Sequence, residues 1–151
     1  MKKKSVLHIV RRYGCVGGME KYVWELTHEL VDVGLDVAIV CEDCFACPDK
    51  RIVVHKVPRS IGRGSPRWKQ MFHFRQAVSS FIKNELEANR WIIHSHERST
   101  LHHVTTFHGA PINKRPNRFV PKFFNRRIRA WEDMERDELL APSVQRILPV
   151  S

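Results

Sequence analysis

An apolar strand, a glycine-bearing turn and an amphipathic helix follow one another at the start of this 151-residue chain. Val6-Leu-His-Ile-Val10 is nearly all apolar, which suits a parallel strand buried on both faces. Arg11-Arg-Tyr-Gly-Cys-Val-Gly-Gly18 follows, then a helix predicted over Met19–Val33, with Tyr22, Val23, Leu26, Leu30 and Val33 on one stripe. Gly34 ends that helix as its C′ residue, and Asp36-Val-Ala-Ile-Val40 reads as a second strand. Such a β-α-β unit calls for a parallel pair with a right-handed crossover. Glycines between a buried strand and a helix N-terminus also leave backbone N–H groups free to hold an anion, most often phosphate.

The alternation continues along the chain. Further strands are predicted at Ile52–Val57, Trp91–His94, Val104–Phe107 and Ile147–Val150. Helices are predicted from Pro66 to about Asn89, over Glu97–His103 as a short piece, and over Phe123–Leu140. Gly109–Pro121, with three prolines, reads as a loop. The fold class is therefore α/β: a doubly wound, mainly parallel Rossmann-like sheet with helices on both faces. The sixth strand stands immediately before Ser151, where a doubly wound fold calls for a covering helix. Residues 1–151 thus read as one domain, half of a larger architecture.

The charge balance points to an anionic partner. The formal net charge is +10. Lys50–Asn84 holds nine basic residues and no acid, and Arg98–Trp131 holds eight and no acid, so the two segments are expected to share a face. Nucleic acid, an anionic membrane and a phosphorylated substrate all suit such a surface. No recognition-helix, zinc-finger or RNA-binding signature is visible, which speaks against nucleic acid. Arg67-Trp68-Lys69 and Arg126, Arg127, Arg129 with Trp131 combine cations with amphipathic aromatics, as monotopic membrane surfaces do. A solvated helix face is the plain alternative. No apolar run approaches the roughly 20 residues of a membrane span, and the apolar stretch after Met1-Lys-Lys-Lys4 stops too soon for an export signal. The location expected is cytoplasmic, peripheral to the inner membrane face if the basic surface docks there.

Gly14, Gly17 and Gly18 are spaced G-x-x-G-G, so the dinucleotide pattern G-x-G-x-x-G is not met. The plain reading is a tight turn with Gly18 as N-cap and Glu20 favourable to the helix dipole. Cys41, Cys44 and Cys47 form a C-x2-C-x2-C run, but no fourth ligand stands at suitable spacing; a loop with incidental thiols is preferred. With no export signal, a disulfide framework is not expected.

The Gly-Gly-Met-Glu20 turn with its amphipathic helix, Trp91-Ile-Ile-His-Ser-His-Glu97, Val104-Thr-Thr-Phe-His-Gly109 and Leu148-Pro-Val-Ser151 occur in an order and spacing that resemble the N-terminal domain of the retaining glycosyltransferases of family four. Each motif is loose alone, and Trp91 replaces part of the family's usual lead-in; the ordered set spans nearly the whole chain. The resemblance implies one half of a GT-B architecture: the acceptor side of an enzyme moving a sugar from a nucleotide-sugar donor to a glycolipid or polysaccharide. No Glu here has a Glu eight positions on, so the donor half with its Glu-x7-Glu motif is absent. A split enzyme completed by a second chain, a truncated product and a remnant would each account for this, and this chain alone is expected to be inactive. By the same resemblance, Gly17 and Gly18 would approach a phosphate, with Glu20 and Gly109 beside the ligand, and His108 would sit at the reacting groups. His94 and His96, on one side of an extended segment, would line the cleft. Arg67, Lys69, Arg126 and Arg127 would form the membrane or acceptor face. No cofactor and no metal are expected in this half, since His-x-His lacks evident acidic or cysteine partners. The competing readings are a basic nucleic-acid- or membrane-binding module without catalysis, and a small metal or redox protein built on Cys41–Cys47.

Overall fold

The computed structural model describes residues 5–87, 90–108 and 125–150. In chain order the elements are β1 (Ser5–Ile9), β2 (Arg12–Tyr13), α1 (Gly18–Asp32), β3 (Asp36–Cys41), β4 (Asp43–Cys44), β5 (Ile52–Lys56), α2 (Arg67–Asn84), β6 (Trp91–Ser95), β7 (Val104–His108), α3 (Arg126–Leu140) and β8 (Arg146–Val150). Six strands form one parallel sheet in the order β5-β3-β1-β6-β7-β8, as the alternating pattern predicts. The chain builds outward from β1 through β3 to β5, then returns to lay β6 on the other side of β1. Strand order therefore reverses between β1 and β6, and the crevice at their carboxyl ends is where such sheets bind ligands.

Side chains alternate between the two faces of a strand. Leu7 and Ile9 point to the face where α2 lies, and pack with Ala38, Val40, Met71, Phe74, Val78 and Met134. His8 and Val10 point to the face of α1, whose Val23 and Val31 close over Val37 and Ile39. α1 ends as predicted. Gly34 takes the left-handed φ of +89°, its N–H reaches the Val31 carbonyl at 2.9 Å, and the Leu35 N–H reaches that of Leu30 at 3.0 Å. These two bonds satisfy the last carbonyls of the helix in a Schellman arrangement.

Four expectations need correction. Glu97–His103 is not a helix: Ser95 Oγ donates to the Glu97 carbonyl, and the His103 N–H returns to the Ile93 carbonyl, so the segment folds back on β6 instead of winding forward. α2 stops at Asn84, short of Asn89. The N-cap of α1 is Gly17, with Gly18 as its first helical residue. β2 and β4 were not foreseen; they pair in parallel just beyond β1 and β3 and form a separate two-stranded ribbon. Phe123 lies outside the described residues, and the helix containing Arg127 is described from Arg126.

α3 is fastened to the sheet through polar groups. Buried Glu138 accepts from Arg98 at 2.5 Å and from Thr105 of β7 at 2.5 Å, while Arg98 also donates to Glu135 and lies over the Phe107 ring at 4.6 Å. Removing one partner of a buried pair leaves the other charge without compensation. Glu138→Ala should therefore cost about 3–5 kcal/mol of stability in urea unfolding, with Glu138→Gln losing less. A loss below about 1 kcal/mol for the alanine variant would show that this network does not hold α3 in place.

Candidate functional site

A cavity of about 600 Å³ opens at the carboxyl edge of the sheet, beside the reversal point. Arg12 and Glu20 come from the first turn and α1, Arg67, Trp68 and Met71 from α2, and His96, Glu97 and Arg98 from the end of β6. Thr106 and His108 of β7 and Arg127, Trp131 and Glu138 of α3 complete it. The two acid-free segments thus do meet, since Arg67 and Arg127 line one cavity. Lys69 lies beyond the lining, 5.5 Å from the Trp68 ring centre, and Arg126 is exposed outside it. Two of the cavity's cations are matched: Arg12 donates from Nε and Nη2 to Glu20 Oε1 at 3.0 and 2.6 Å, and Arg98 serves Glu138.

The glycine turn is arranged differently from the simple anion cradle. A Cβ on Gly17 would stand 2.4 Å from Glu20 Oε2, so the carboxylate of Glu20 folds back against the N-cap and Arg12 holds it there. The turn already carries an anion of its own at the positive end of α1. Gly18 faces open space within 4 Å of where its Cβ would be, so a ligand can approach the backbone at that residue. Gly109 lies outside the described residues.

The histidines converge on the α1 face. His8 and His94 stand opposite each other in the β1/β6 register, and His96 follows two residues on. Ring centroids lie 5.0 Å apart for His8 and His94, 5.3 Å for His8 and His96, and 4.2 Å for His94 and His96. His8 Nδ1 and His96 Nε2 share a 3.0 Å hydrogen bond, and His94 Nε2 bonds Thr106 Oγ1 at 2.7 Å. His96 reaches the cavity wall, whereas His94 sits behind it. His108, at the end of β7, is 5.9 Å from both the His96 and Tyr22 rings. Burial pushes His8 down to about 3 and His94 down to about 4, holds His96 well below the ordinary histidine range, and lowers His108; the neighbouring rings add to the first three shifts. All four are neutral near pH 7, so each ring offers one donor and one acceptor.

Glu97, expected to begin a short helix, instead lines the cavity. Burial pushes its carboxyl up to about 7, and the Arg11 N–H, 3.2 Å from Oε1, opposes that rise. A carboxyl that titrates near neutrality in a cavity can exchange a proton with a bound hydroxyl. Its signal in the sequence was position, directly after a strand-end histidine. The cysteines do not gather: among the described residues no set of three or more metal-ligating side chains includes one, and burial pushes the Cys41 thiol up to about 12. A reactive or metal-binding thiolate at Cys41 is thereby disfavoured.

The family model described as Glycosyltransferase Family 4 matches residues 16–151. No curated protein matches the chain. Among solved structures it is similar to the crystal structure of WaaG, a glycosyltransferase involved in lipopolysaccharide biosynthesis, with a TM-score of 0.74 and 12% identity. The match covers 93% of this chain and 37% of that one, and at this identity it speaks for the fold.

The buried histidines set a pH dependence. Above pH 6.5 neither the folded nor the unfolded chain protonates His94; between 6.5 and about 4 the unfolded chain takes up a proton that the folded one refuses. Stability is thus full above that window and falls as the pH drops through it. Each such histidine contributes about 1.4 kcal/mol per pH unit to the slope. Urea unfolding between about pH 6 and pH 4.5 should show His94→Gln flattening the slope by about one such increment; an unchanged slope would mean that His94 is protonated in the fold.

Proposed function

Because the chain belongs to Glycosyltransferase Family 4, we propose that it is the acceptor-side domain of an enzyme transferring a sugar from a nucleotide-sugar donor to a glycolipid or polysaccharide acceptor, with retention at the sugar carbon. The observation that carries this reading is the cavity beside the β1/β6 reversal, with neutral His108 at its wall. His108 Nε2 is buried and meets no protein partner among the described residues, so it is free to bond a sugar hydroxyl as charge shifts during transfer. Glu97 holds or receives the acceptor proton nearby. His96 lines the acceptor side, and His94 fixes the strand end behind it through Thr106. The open backbone at Gly18 admits a phosphate, with Gly17 and Glu20 shaping that approach.

Arg67 and Arg127 give the cavity its anion preference, suited to a phosphorylated glycolipid. Lys69 and Arg126, outside the lining, extend the cationic surface toward an anionic membrane. No described helix is long and apolar enough to cross a membrane. The chain spans little more than a third of the WaaG chain, and the donor half is supplied by further polypeptide, whether on this chain or a second one. Lipopolysaccharide-type assembly is the process in which such an acceptor arises.

The test is transfer of radiolabelled sugar from a panel of nucleotide sugars into a bacterial lipid extract, with this chain alone and with a donor domain co-expressed. Transfer is expected only in the combined sample. His108→Ala should reduce it by about 10²–10⁴-fold without altering the melting temperature. Transfer unaffected by that change would remove His108 from the reaction.

A further inference from the structure

We propose that His8, His94 and His96 form a binding site for a divalent transition-metal ion of the zinc class. One ring nitrogen from each lies within 4.8 Å of the other two, the sole such grouping of three or more ligand-type side chains among the described residues. The sequence offered His94-Ser-His96 without a partner. The missing third ligand is His8, which parallel pairing of β1 with β6 sets directly beside His94.

Three features suit a metal. The ligand set is all imidazole, which zinc and its neighbours accept. Two buried ring nitrogens, His8 Nε2 and His96 Nδ1, meet no protein group among the described residues, although His8 is fully buried and His96 is 3% exposed. His94 has an orienting partner in Thr106, whose hydroxyl fixes the ring and leaves the Nδ1 atom for a ligand. Zinc–nitrogen bonds of about 2.0–2.1 Å in a tetrahedron need nitrogens about 3.4 Å apart, so the ion exchanges the 3.0 Å His8–His96 hydrogen bond for metal bonds as the side chains adjust on a fixed backbone. His96 also lines the cavity.

The experiment is a titration of the metal-free full chain carrying Cys15→Ser and Cys47→Ser, which removes the exposed thiols. Cobalt(II) should bind at one equivalent, give visible bands free of thiolate charge transfer, and be displaced by zinc. His94→Gln should weaken cobalt binding at least about 100-fold, and Thr106→Val, which keeps all three ligands, by about 10–100-fold. His73→Gln, on α2, should leave it unchanged. Melting curves establish that each variant is folded. If His94→Gln does not fold, the Thr106→Val titration decides the question alone. No saturable binding below about 0.1 mM, a thiolate signature, or equal affinity in the folded variants would overturn the site. Sugar transfer is not read, so this result stands apart from the outcome for the proposed activity.

Discussion

The double pairing of β1 organises this domain. Its five residues bond in parallel to β3 on one side and to β6 on the other, so Leu7, His8 and Ile9 are wholly buried and the strand has no freedom of register. A slip by one residue would exchange Leu7 and Ile9 with His8, placing an imidazole among Phe74 and Val78 and leucine against the histidines of β6. Hydrophobic burial on the α2 face therefore fixes the polar arrangement on the α1 face. The reversal of strand order beside β1 then opens the crevice where the cavity lies.

Charge is distributed in a way that the total of +10 conceals. Several arginines are engaged within the fold: Arg51 with Asp32 and Asp49, Arg59 with Glu42 and Asp43, Arg75 with Asp137, and Arg98 with Glu135 and Glu138. Exposed pairs such as Arg51 with Asp32 add little to stability. The Arg98 group is different, because Glu138 is 2% exposed and Arg98, Thr105 and Glu138 join the β6–β7 loop, β7 and α3. At the cavity itself, Arg12 and Arg98 are matched by carboxylates, and Arg67 and Arg127 supply the rest of its cationic lining among the described residues.

The α/β order and most strand positions were legible, because buried parallel strands are short apolar runs and α1 has a clear stripe with Gly34 behind it. The terminal strand was legible too, though β8 is exposed along its length. The segment after β6 was not. Glu97-Arg-Ser-Thr-Leu-His-His103 has helical composition, yet Ser95 and the Ile93 carbonyl draw it back, and such tertiary bonds leave no periodic mark. For the site, His108 and His96 were visible as strand-end histidines. His8 was not, since one histidine in an apolar strand looks like a core residue until its neighbour across the ladder is known. Nor was the role of Glu20 foreseen: an acid in the first turn of a helix signals dipole compensation, but not that Arg12 would clamp it over Gly17.

His96 joins the two halves of the chemistry. The residue lines the cavity, and its Nε2 is locked by His8. A cavity wall made from such a residue cannot adapt by rotamer change without breaking a buried bond, which costs about 1–3 kcal/mol in an unsatisfied polar atom. The wall is therefore preorganised by the core and not by the loop that carries it. The contrast is with Arg67 and Arg127, exposed on helices at the other side of the cavity, whose long side chains can follow ligands of different shape. A rigid neutral floor and adaptable cationic walls suit ligands that share a hydroxylated body and differ in where their negative charge lies.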